Sequence, residues 1–155
     1  MSQLRLATYF NSNIECDFCD IVSGKTSAYI VFEDEPSLAF LDNRPLFPGH
    51  CLLIPRKHIP TLIDLDSTLI EKIFLNVKRL TQAVELAMQA EGSFVALNNK
   101  VSQSVPHLHI HIVPRRKKDG LKGFFWPRAK YRDDEHMKEV QSKIREALST
   151  VSRDG

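Results

Sequence analysis

The sequence predicts an α+β fold: an antiparallel sheet of about five strands, one long helix, and a second helix near the C-terminus. Three observations lead there. Short apolar runs in the first third are separated by turn residues rather than by helices, a central segment carries apolar residues at three-and-four spacing, and a later segment alternates histidine with Leu and Ile. Strands grouped around one helix, instead of strictly alternating with helices, separate α+β from α/β.

In chain order, residues 29–33, 37–41 and 50–54 read as short strands of a meander. The breaks between them are Asp34-Glu35-Pro36 and the Pro-rich stretch 45–49. Asp64 and Asp66 are both suited to cap a helix, and Leu69, Ile70, Ile73, Phe74, Val77, Leu80, Val84, Ala87 and Met88 then recur at helical spacing until Gly92 ends the pattern. Residues 93–97 and 107–113 read as two further strands joined by a turn over 98–106. Asp133, Asp134 and Glu135 give a negatively charged first turn to a last helix whose Met137, Val140, Ile144 and Leu148 share a stripe. No repeat or low-complexity tract breaks the chain, which reads as one domain over 1–155. Its core spans about 16–115, with a C-terminal loop and helix over 116–150.

Composition narrows the function. With 43% hydrophobic and 26% charged residues the chain can form a real core, and a formal charge of +2 lacks the concentrated basic surface of a specific nucleic-acid binder. Arg115-Arg116-Lys117-Lys118 reads as a solvated turn. No stretch approaches the roughly 20 apolar residues of a membrane span, and residues 1–15 contain no signal-like apolar core, so a soluble cytoplasmic protein is expected.

Three of the six histidines, His107, His109 and His111, alternate with Leu108, Ile110 and Ile112, which puts three imidazoles on one face of an extended segment. A hydrophobic core has no use for such a row, whereas a phosphate or metal site does. Cys16 and Cys19 stand at a spacing that suits half of a tetrahedral zinc site, and equally a pair of free or redox-active thiols. Cys51, inside an apolar run, reads as core.

The string QSVPHLHIHIVPR over 103–115 resembles the hallmark of the histidine-triad (HIT) superfamily, and the block from Leu38 through Asp42, Pro48-Gly49-His50 and Ile54 to His58 is also similar to that family. The resemblance extends over roughly 16–115. It implies the sheet described above and a homodimer formed through the long helix and an edge strand. It also implies a nucleotidyl hydrolase or transferase that cleaves purine nucleoside phosphoramidates or related nucleoside phosphates through a nucleotidyl-histidine intermediate. A dinucleoside-polyphosphate hydrolase or phosphorylase, and a non-catalytic nucleotide-binding scaffold, are the alternatives.

Carried over position by position, the resemblance makes His109 the nucleophile and His111 a donor to a phosphate oxygen, with Gln103 and Ser104 on the phosphate and leaving-group oxygens and Asp42 on the ribose hydroxyls. Asn98 or Asn99 takes the phosphate-side position. Related proteins with a Cys-x-x-Cys pair complete a structural zinc site with two histidines, which here correspond to His50 and His107. Where many relatives have a Gly-rich loop, this chain has Asn98-Asn99-Lys100-Val101-Ser102, without glycine. Trp126 and Arg128, in the aromatic stretch 120–128, are candidates for leaving-group specificity.

Overall fold

The structure, a computed structural model, describes residues 15–121 and 130–150. Trp126 and Arg128 lie outside them. The chain divides into two compact units, Met1–Lys117 and Lys118–Gly155. The first contains α1 (Asp17–Val22), β1 (Ile30–Glu33), β2 (Ser37–Leu41), β3 (Cys51–Pro55), α2 (Ser67–Ala87), β4 (Gly92–Ala96) and β5 (Ile110–Arg115). The second contains α3 (Asp134–Thr150). The strands form one sheet in the order β1-β2-β3-β5-β4, and every neighbouring pair is antiparallel, as the sequence predicts.

Two details of the long helix differ from expectation. Asp66 is the N-cap, its carboxylate accepting from the Thr68 amide at 2.8 Å, while Asp64 forms a capping box with Thr61 around a single 3-10 turn, Leu62–Asp64. At the other end Met88 is the C-cap and Gln89 enters the left-handed region at φ 50. The helix therefore stops before Gly92, which opens β4 instead.

Strand alternation gives the sheet two different faces. Ala39, Cys51, Leu53, Ile110 and Ile112 pack with Ile73, Val77, Leu80 and Val84 of α2 in the main core. Leu38, Phe40, Leu52 and Ile54 form a second cluster with Cys16 and Phe18 from the α1 segment. Cys51 is core as expected, and burial pushes its thiol up to about 11.

His107 lies in a bend, and the regular ladder begins only at Ile110, three residues later than the sequence implies. The reason lies in the facing strand. Pro55 has no N–H to give, and its carbonyl accepts from the ring Nε2 of His107 at 2.8 Å. A side chain thus occupies the group a ladder would use. Leu108 continues inward, its amide donating to the Ile59 carbonyl.

The apolar stripe of α2 is interrupted by Asn76, which is 5% exposed. Its amide donates to Asp34 Oδ2 at 2.6 Å and to Ser37 Oγ at 2.9 Å, and the Ser37 amide and hydroxyl both donate to Asp34 Oδ1 at 2.9 Å. This network ties the helix to the β1–β2 turn. Asn76→Ala leaves the Asp34 carboxylate and Ser37 hydroxyl short of a donor, and the expected loss is about 2–3 kcal/mol, read as a lower urea midpoint at unchanged m-value.

Candidate functional site

His109 and His111 project from the second-cluster face of the sheet, since His111 pairs opposite Leu52 and His109 lies two residues earlier. His109 is 4% exposed, and its Nδ1 is 2.7 Å from the His107 backbone carbonyl. A carbonyl can only accept, so a hydrogen sits on Nδ1, and the tautomer this selects has its lone pair on Nε2. The rings of His109 and His111 meet edge-on, with centroids 5.1 Å apart.

His111 is oriented through His50. Gly49, at φ 94, turns the chain into β3 at a point where a Cβ would stand 2.6 Å from Met88 Cγ, so only glycine fits before His50. The Leu46 amide donates to His50 Nδ1 at 3.1 Å. Burial lowers the His50 pKa, partly opposed by the Asp42 charge, so the ring is neutral and its one hydrogen is on Nε2. That hydrogen is directed at His111 Nδ1, 2.9 Å away. Burial, then the neighbouring His109 and His50, hold the His111 pKa down to about 4. His111 is therefore also neutral, with Nδ1 accepting and Nε2 donating. Asp42 stands beside the relay, one carboxylate oxygen 3.7 Å from His50 Nε2 and the other accepting from the Arg44 amide at 2.8 Å.

A second cluster lies at the other end of the histidine segment. His107 Nδ1 is 3.4 Å from Cys16 Sγ and 3.6 Å from Cys19 Sγ, and His58 Nδ1 is 3.3 Å from Cys19 Sγ. The four donor atoms lie within 4.8 Å of one another. This corrects the ligand set expected from the sequence: His58 stands beside the thiols, and His50 belongs to the Asp42–His111 group. Antiparallel register separates them, because His50 enters β3 at the end facing His111 while His58 follows β3 at the end facing His107.

Ring protonation distinguishes the two clusters. His107 gives its Nε2 hydrogen to Pro55, which leaves Nδ1 bare toward the sulfurs, the arrangement a metal-binding imidazole adopts with a carbonyl behind it. Burial first, then the hydrogen bond and charge of Cys16, push the Cys19 thiol up to about 12. Two sulfurs and two imidazoles suit tetrahedral zinc. Asp42, His50 and His111 are as close together, yet His50 already accepts a backbone hydrogen bond at Nδ1, and a metal on Nε2 would require a ring with no hydrogen at all. That group is a hydrogen-bond relay.

The loop ahead of the triad uses its polar side chains locally. Asn98 donates to the Ser102 carbonyl at 3.3 Å, and Asn99 accepts from the Leu62 amide at 2.9 Å. Gln103 accepts from the Lys100 amide at 2.7 Å and donates to the Pro60 carbonyl at 2.6 Å. Ser104 is exposed in the turn that enters the triad.

A family model described as "HIT domain" matches residues 23–118. An uncharacterized HIT-like protein of Saccharolobus solfataricus is 34% identical over 139 residues, which is 88% of this chain and 99% of that protein. An adenosine 5'-monophosphoramidase of Candida albicans is 29% identical over 149 residues, 92% of this chain and 97% of that protein. The crystal structure of a HIT family protein of Bacillus subtilis superposes with a TM-score of 0.77 at 33% identity, covering 86% of this chain and 96% of that one.

Two measurements check this geometry. Purified His58→Ala should lose bound zinc by elemental analysis, whereas His50→Ala should keep the wild-type metal content; the reverse pattern would restore the sequence-based ligand set. Acid should also weaken the fold. Because His50 and His111 are held below the ordinary value of 6.5, the unfolded chain takes up protons below that pH that the folded chain refuses until His111 reaches about 4. The urea midpoint should fall between pH 7 and pH 5, and fall less in His111→Asn.

Proposed function

The chain belongs to the HIT domain family, and from that premise we propose that it cleaves purine nucleoside phosphoramidates or related nucleoside phosphates by nucleotidyl transfer through His109. The observation that carries this reading is the hydrogen bond from His109 Nδ1 to the His107 carbonyl, which leaves the lone pair on Nε2. Support also comes from the similar phosphoramidase, an enzyme of matching length.

In the first step the Nε2 lone pair attacks the nucleotide phosphorus. The N–P bond forms as the bond from phosphorus to the leaving group breaks, and the leaving group departs with the electron pair and takes up a proton from solvent, which the hydrolytic water returns in the second step. The Nε2–H of His111, fixed by the chain from the Leu46 amide through His50, donates to a non-bridging phosphate oxygen where negative charge accumulates. Water then cleaves the phosphohistidine, releasing nucleoside monophosphate and returning His109. Asp42 supplies carboxylate lone pairs for the ribose hydroxyls, and Ser104 offers its exposed hydroxyl to the phosphate. Gln103 acts here through the loop it braces.

Cys16, Cys19, His58 and His107 would hold a structural zinc ion, which neutralises the paired sulfurs and stiffens the segment leading to His109. Homodimerisation is proposed through α2 and the β4 edge, where Ile70, Phe74, Leu75 and Val95 are exposed.

The decisive experiment incubates the protein with a radiolabelled adenosine phosphoramidate, and separately with a diadenosine polyphosphate, and quenches in alkali to preserve phosphohistidine. Wild type should yield labelled protein and AMP. His109→Asn should bind nucleotide but lose turnover by at least about a thousandfold and carry no label. Tight binding without turnover by the wild type would favour the scaffold alternative, and faster cleavage of the dinucleotide would move the substrate class.

A further inference from the structure

The side chain between the two cysteines connects the metal-ligand cluster to the reacting histidine. Phe18 is 8% exposed and belongs to α1, whose N-cap is Cys16. The Cys16 sulfur accepts from the Cys19 amide at 3.5 Å and its carbonyl from the Asp20 amide at 3.0 Å, which pins the turn carrying Phe18. From there the Phe18 ring meets three others edge-on: Phe40 at 5.4 Å, His107 at 5.9 Å and His109 at 5.2 Å with an interplanar angle of 83°.

One hydrogen bond does not fix an imidazole. The bond from Nδ1 to the His107 carbonyl restrains rotation of the ring about Cβ–Cγ only within the latitude of one hydrogen bond, and turning within that latitude swings Nε2 through an arc. A packed aromatic ring perpendicular to it removes that freedom, because edge-to-face contact is lost as the imidazole plane turns. Both restraints start from the same cluster: the carbonyl belongs to His107, and the aromatic ring stands between Cys16 and Cys19.

We propose that Phe18 is a positioning residue for His109, so that the turn gathering the sulfur and imidazole ligands also sets the direction of the His109 lone pair. The proposal rests on His109 being the nucleophile. It makes metal loading a condition of catalytic alignment rather than of stability alone, although no ligand atom touches the reacting group. In-line attack on phosphorus tolerates little misdirection, and displacements of about 1 Å can cost on the order of a hundredfold in rate.

The test uses the full-length, zinc-loaded protein with Phe18→Leu, which keeps an apolar side chain but removes the ring, and Phe18→Tyr, which keeps the ring. Phe18→Leu should retain its zinc, leave KM for the phosphoramidate within about twofold and lower kcat by about 10- to 100-fold, with Phe18→Tyr restoring most of it. In 15N–1H spectra without substrate, the His109 Nδ1–H signal should be sharp in wild type and broadened in Phe18→Leu. Cys16→Ser, stripped of metal, should broaden it as well. If Phe18→Leu does not fold, Phe18→Met takes its place with the same expectations. Raised KM with kcat intact would make Phe18 a wall of the binding cleft, and reduced stability with an unchanged His109 signal would make it ordinary core; either result overturns the proposal. Should the wild type turn over no nucleotide, the functional reading fails, while the spectra still decide whether Phe18 orders His109.

Discussion

The antiparallel register between β3 and β5 is the constraint on which the site depends. Leu53 faces Ile110 and Leu52 faces His111, so moving toward His107 along one strand means moving toward Pro55 along the other. His50 and His58 flank the same strand, and the register sends them to opposite ends of the histidine row. A slip of one residue would turn the imidazoles onto the face packed against α2, where Leu108, Ile110 and Ile112 are buried at 0%, 1% and 0% exposure. The hydrocarbon packing of those three residues therefore holds the chemistry in place on the other side.

Protonation then differentiates four similar rings, those of His50, His107, His109 and His111. Pro55, the His107 backbone and the Leu46 amide each decide where one ring hydrogen resides, and none of them is a side-chain acid or base. A backbone carbonyl leaves His107 bare toward the sulfurs and His109 bare at Nε2, while a backbone amide obliges His50 to donate onward to His111. Burial completes the scheme by lowering the pKa of His50, His107 and His111, so that the rings act as directed neutral donors and acceptors rather than as cations. The close approach of His111 to His50 and His109 requires this, because protonated rings centred 5.2 and 5.1 Å apart would repel one another.

Much of this was legible in the sequence. The five strands, the long helix and the face shared by the histidines follow from period-two and three-and-four patterning, which burial enforces on both sides of the sheet. Other elements were not legible, for identifiable reasons. The six-residue α1 is too short to show a period, and it exists because Cys16 caps it and Phe18 is buried beneath it. Asn76 occupies a core position with no apolar signature, since its partners, Asp34 and Ser37, are about forty residues away. The placement of His58 needs register: motif position put His50 beside the thiols, whereas pairing the two strands in antiparallel order assigns His58 to them. Spacing points to the two cysteines and the resemblance to His50 and His107, and topology sets His58 in the place of His50.

The loop before the triad shows how local geometry redirects side chains that a motif reserves for substrate. Lys100 and Ser102 adopt φ 68 and φ 59, left-handed values that glycine takes freely and that cost other residues on the order of 1 kcal/mol each. This chain has no glycine there, so the cost must be offset within the loop. The Lys100 amide is held by Gln103, the Ser102 carbonyl by Asn98, and the neighbouring 60–62 segment by Asn99 and Gln103. Three polar side chains that motif position assigns to the phosphate side are thus engaged in keeping a non-glycine turn in a glycine-like shape. Of the polar residues in that stretch, Ser104 is the exposed one adjoining the triad. On the proposed reading, the leaving-group side is a braced rim, where a glycine-rich loop would instead offer mobile backbone amides.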